Sequence, residues 1–117
     1  MRDLLVVAVG VLLAVAVVAN PLHAKEKAPT TRTIVGRVAD GADNPLADAV
    51  VYLTNTKTAD IRTYITDKEG AFHFSALAQN VDYHVYAKLK DRKSDVKTLS
   101  QFDNRPQVVM NLRIDVP

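Results

Sequence analysis

Downstream of an apolar N-terminal segment, the side chains best suited to acid–base, nucleophilic or metal chemistry are two histidines, His73 and His84, and three serines, Ser75, Ser94 and Ser100. Each histidine sits in an alternating run, AFHF and YHVYA, so that if the two strands were neighbours both rings would project from one face and could share a zinc ion or a proton. A closed zinc site takes four ligands, and with no cysteine and no third ligand nearby such a site is not supported. None of the serines lies in a G-x-S-x-G elbow, and there is no thiol to pair with a histidine. A further cluster, SQFDNRP at Ser100 to Pro106, offers Asp103, Asn104 and Arg105, which could bond a ligand or simply shape the turn before Pro106. Phe102 in that loop is expected to tuck under the fold.

The elements that must position these groups begin after residue 24. The 117-residue chain is the size of one domain. It opens with Arg2, an apolar run from Leu4 to Ala19, the breaker Asn20-Pro21 and the small residue Ala24, the layout of a secretory signal peptide over residues 1–24. The alternative is an uncleaved membrane tether, for which the run is shorter than the roughly 20 apolar residues of a spanning helix. Without cysteine neither a lipid anchor nor disulfides are available, so the core must hold the fold. The expected address is periplasmic or secreted, with membrane contact only through this segment during export. Fifteen basic and thirteen acidic residues give a net charge of +2 with no dense basic stripe, which argues against a nucleic-acid partner.

Residues 25–32, KEKAPTTR, are polar and without periodicity and read as a flexible linker to a domain at 33–117. From Thr33 on, short runs of period two alternate with turn clusters, the pattern of an all-β sandwich. The seven expected strands are Thr33–Ala39, Ala49–Asn55, Ile61–Thr66, Ala71–Ser75, Tyr83–Leu89, Lys93–Leu99 and Gln107–Val116. In the third, Ile61 and Ile65 are expected inward and Arg62 and Tyr64 outward. Asp67-Lys68-Glu69-Gly70 reads as a tight turn needing the backbone freedom of Gly70, after which Phe72 and Phe74 enter the core and His73 faces away.

The stretches IVGRVAD (Ile34–Asp40), NPLADAVVYL (Asn44–Leu53), TDKEGAFHFSAL (Thr66–Leu77) and YHVYA (Tyr83–Ala87) together resemble a carboxypeptidase regulatory-like domain. The resemblance implies a transthyretin-like, prealbumin-like sandwich of seven strands in two sheets, related in fold to carbohydrate-binding modules and often a non-catalytic accessory module. It also implies that His73 and His84 belong to different sheets. The hydroxyisourate hydrolases of similar fold use a C-terminal Y-R-G-S motif, whereas this chain ends LRIDVP.

If the second, third and fifth strands share a sheet, as the resemblance implies, its outer face carries Tyr52, Tyr64, Tyr86, Arg62, His84 and Lys88. Tyrosine and arginine are enriched at interface hot spots, and tyrosine rings can stack on sugars. The same residues are also ordinary strand formers. The expectation is an exported binding module without catalysis or cofactor, recognising an envelope glycan or protein, or else an accessory subunit pairing in trans with a transporter or secreted enzyme; a small hydrolase using His73 or His84 is the third and least favoured alternative.

Overall fold

The computed structural model describes Thr31 to Val116. The expected export signal and the linker up to residue 30 lie outside the described residues. Eight strands follow in order: β1 (Thr31–Ala39), β2 (Val50–Asn55), β3 (Ile61–Ile65), β4 (Ala71–Ala78), β5 (Tyr83–Leu89), β6 (Arg92–Lys93), β7 (Lys97–Leu99) and β8 (Gln107–Arg113). They form a two-sheet β-sandwich. One sheet has the order β4-β1-β8, with β1 and β8 parallel; the other runs β3-β2-β5, with β6 and β7 both paired to the far edge of β5.

Period-two alternation sends one side chain in two between the sheets. Ile34 and Val38 of β1, Val51 and Leu53 of β2, Val85 and Ala87 of β5 and Leu112 of β8 are buried there. Phe72 and Phe74 join them at 2% and 4% exposure, as their spacing requires. Gly36 lets β8 and the Phe72 ring close over β1, because a Cβ there would collide with the Met110 carbonyl and the ring edge. The turn before β4 works through Asp67, whose Oδ1 accepts from the Glu69 and Ala71 amides, while Gly70 adopts φ +73°.

Three features depart from the sequence expectation. First, β4 runs past Ser75 to Ala78. The register slips between Arg32 and Ile34, a bulge that puts Ala76 at φ 58° and changes parity, so that Leu77 turns inward and is fully buried. Second, the expected sixth strand is broken into β6 and β7 at Ser94. The buried Ser94 hydroxyl replaces a ladder carbonyl: it accepts from the Ala87 amide at 2.9 Å and donates to the Asp95 carbonyl.

Third, Thr31 and Arg32, expected in the linker, belong to β1. Arg32 is fully buried. Its Nε and Nη2 donate to the Ala78 carbonyl at 3.2 and 2.6 Å, Nη2 also to Val81 at 2.7 Å, and Nη1 to Ser100 and Asp103 at 2.8 and 2.7 Å. All five guanidinium N–H groups are therefore used, and the Tyr83 ring lies 5.9 Å away. One side chain thus ties together the β4–β5 and β7–β8 connections.

Candidate interaction surface

Residues directly opposite each other in an antiparallel pair leave the sheet on the same side. Opposite Tyr52 stand Thr63 on β3 and Tyr86 on β5, which makes the middle row of the outer wall of the five-stranded sheet. The row on one side is Ile65, Val50, Lys88 and Lys93; on the other it is Ile61, Thr54, His84 and Thr98. Ile61 and Ile65 are 61% and 63% exposed.

The half-buried Tyr52 and Tyr86 rings stack at 5.0 Å between centroids and 12° between planes, close to the spacing of adjacent strands. Their planes therefore stand upright on the sheet. Lys93 reaches the Tyr86 ring from the β6 side, its Nζ 4.7 Å from the centroid. Tyr86 is thus covered by Tyr52 on one face and an ammonium on the other. What Tyr86 offers to solvent is mainly its edge and hydroxyl.

Tyr64 and Arg62 are not on this wall. The turn between β2 and β3 sets their register: the Asn55 carboxamide oxygen accepts from the Lys57 and Thr58 amides, Ala59 takes φ 68°, and the Asn55 amide donates to Asp60. Tyr64 consequently pairs with Val51 and Arg62 with Leu53, both core residues, so Tyr64 and Arg62 leave on the inner side and Ile61 and Ile65 on the outer. β3 is an edge strand, and its inner side meets β4 at the open flank of the sandwich rather than the centre of the core. Tyr64 packs there 5.0 Å from the His73 ring and 6.1 Å from Phe74. Arg62 Nη1 donates to the Ser75 carbonyl at 3.0 Å, occupying part of the β4 bulge. Both residues act as closures of that flank.

His73 on β4 and His84 on β5 belong to different sheets. No three His, Asp or Glu side chains converge on a metal-sized point among the described residues.

The loop residues Asp103 and Arg105 bind each other. Arg105 donates to the Asp103 carboxylate through its backbone amide at 3.2 Å, Nε at 2.9 Å and Nη2 at 2.6 Å. The side-chain hydrogen bonds from Arg105, followed by its amide, hold the Asp103 carboxyl down at about 2. Asn104 is exposed between them. Phe102 does not tuck under: it is 84% exposed, because Asp82 Oδ1 fixes the Gln101 amide and Ser100 Oγ the Phe102 amide in an outward turn. The loop's fixed groups thus serve the turn and, through the Ser100 and Asp103 carbonyls, Arg32.

A polar cleft of about 570 Å³ beside β8 is lined by Arg37, Asp43, Asp95, Lys97, Asn111 and Arg113. Three cations and two carboxylates line it, so both signs of charge are present. Sequence reasoning missed Lys93 on the wall, because the tyrosine it covers is brought to it only by the β5–β6 pairing.

Among solved structures, the chain is similar to BcpA, the major pilin subunit of Bacillus cereus, at 18% identity and a TM-score of 0.60, covering 74% of this chain and 30% of the pilin. It is also similar to the dioxygenase domain of a dioxygenase carbohydrate-binding protein fusion from Streptomyces sp. SirexAA-E, at 16% identity and a TM-score of 0.56, covering 80% of this chain and 84% of that one. Catechol 1,2-dioxygenase from Acinetobacter sp. ADP1 follows at 12% identity and 0.55, with 78% and 54% covered. At these identities the likeness is one of fold. No curated protein matches the chain. The model of the carboxypeptidase regulatory-like domain matches residues 33–115, all of the sandwich but the first two residues of β1, and the chain belongs to that family.

Proposed function

We propose that this domain is a non-catalytic interaction module, exported by its N-terminal segment, whose outer sheet wall docks a protein of the envelope. The observation that carries the reading is the upright Tyr52–Tyr86 stack flanked by exposed Ile61 and Ile65. Stacking on a sugar needs a free ring face; Tyr86 has both faces occupied and Tyr52 has one. Exposed isoleucines beside tyrosine edges instead suit burial against another protein, where contiguous apolar surface marks an interaction site. The separation of His73 from His84 onto two sheets removes the one histidine pair that the sequence offered for shared chemistry.

Ile65→Asp tests the reading, since Ile65 is exposed and its loss leaves the core intact. The wild-type protein is expected to retain an envelope protein on affinity capture, the variant to lose it at unchanged thermal stability, and a glycan array to stay blank. An array signal that disappears in Tyr52→Ala would instead make the wall a sugar site. For export, intact mass of the processed protein should correspond to a start at Lys25; a product retaining Met1 to Ala24 contradicts cleavage.

A further inference from the structure

The outer wall carries charge of one sign. Lys88 and Lys93 lie opposite each other at one end, and no position in the three cross-strand rows is Asp or Glu. Asp60 and Asp91, near in sequence, fall in the turns before β3 and between β5 and β6, outside the rows. The cleft beside β8 mixes both signs, whereas the wall's rows bring two lysines together with no carboxylate beside them. On β3, exposed Ile65 ends the lysine row and exposed Ile61 ends the far row, on either side of Thr63.

We infer that the partner segment docked on this wall is acidic and apolar together, a protein surface whose carboxylates lie over Lys88 and Lys93 while its aliphatic side chains cover Ile61 and Ile65. This rests on the wall being the contact surface. Complementary charge steers such an encounter and rejects partners of like charge, and apolar burial supplies the hold. Lys93 is already placed by its contact with Tyr86, so less side-chain freedom is lost when a carboxylate arrives.

The probe is a soluble peptide of alternating Leu and Glu, titrated into the labelled protein and followed by amide and methyl NMR shifts, beside the same peptide with Lys for Glu and beside polygalacturonate. The expected result is that the Leu–Glu peptide shifts Ile61, Ile65, Tyr86, Lys88 and Lys93, and that the lysine peptide does not. Joint Lys88→Glu and Lys93→Glu should weaken that binding by about tenfold or more, and raising salt should weaken it too. Lys57→Glu, in the β2–β3 turn, should leave it unchanged. Shifts centred on Arg37, Lys97 and Arg113 instead of the wall overturn the inference, as does equal binding of the lysine peptide. If polygalacturonate alone shifts the wall, the anionic preference belongs to a polysaccharide and the protein partner is overturned. If no anionic probe shifts the wall while Ile65→Asp still abolishes capture of the envelope protein, the acidic partner fails and the docking role stands.

Discussion

Arg32→Met removes five donors from the interior while keeping an unbranched apolar stem, and leaves the carbonyls of Ala78, Val81, Ser100 and Asp103 without the guanidinium that reaches them. Hydrogen bonds to a charged group contribute about 1.5–3 kcal/mol each with desolvation already counted. The five share one guanidinium and are not additive, so the loss on substitution is about 3–5 kcal/mol, the range for removing one member of a buried charged network. For a domain of roughly 60–100 residues, each kcal/mol moves Tm by about 4–8 °C, so the fall should be roughly 12–40 °C. Arg32→Lys keeps the charge but has three donors on one atom, which cannot span carbonyls from two loops, and it is expected to be at least as damaging. Differential scanning calorimetry gives the Tm. Amide exchange gives the location, which should be the connections around residues 78–82 and 100–105, where protection is lost first. A fall of less than about 4 °C for Arg32→Met, or exchange that rises uniformly, refutes the clamp.

Ser94→Ala should leave the Ala87 amide unpaired inside the sheet and lower stability by about 1–3 kcal/mol in urea unfolding, whereas a change within 0.5 kcal/mol (about the range of a surface site) would mean the hydroxyl is dispensable. The Asp103 carboxyl, held at about 2 by Arg105, should titrate well below the ordinary range when followed by carbon NMR. Because the folded state depresses that value, its contribution to stability is fully present above about pH 4 and is lost as the pH falls through about 2. An Asp103 that titrates near 4 in the native protein contradicts the Arg105 pairing.

The alternation of β1, β2, β5 and β8 was legible because each strand buries one full face, and the same holds for Phe72 and Phe74 beyond the Asp67–Gly70 turn. For β3 the residue pattern points to the wrong face. Its two isoleucines look like core residues, but the β2–β3 turn fixes the pairing, and shifting a strand by one residue exchanges its faces. An edge strand can leave isoleucine outside because its inner side needs residues that reach across the flank, which Tyr64 and Arg62 do. Arg32 was illegible for a different reason. The carbonyls it bonds lie 46 to 71 residues away, and nothing in KEKAPTTR indicates that they converge on it. Ser94 likewise breaks an alternating run through a single side-chain bond, which period-two patterning cannot register. Of the expected binding face, Tyr52, Tyr86, His84 and Lys88 share the wall because β2 and β5 were read in the right parity, and Arg62 and Tyr64 were lost with β3.

The docking role of the outer wall is tested most directly by photocrosslinking in the living cell, with a photoreactive residue at Thr63, in the middle row, and in a second strain at Val109, 64% exposed on β8 of the other sheet. A discrete protein adduct from position 63 and none from position 109 is the expected result. Adducts from position 109 alone, or none from either position while the protein is present and folded, contradict it.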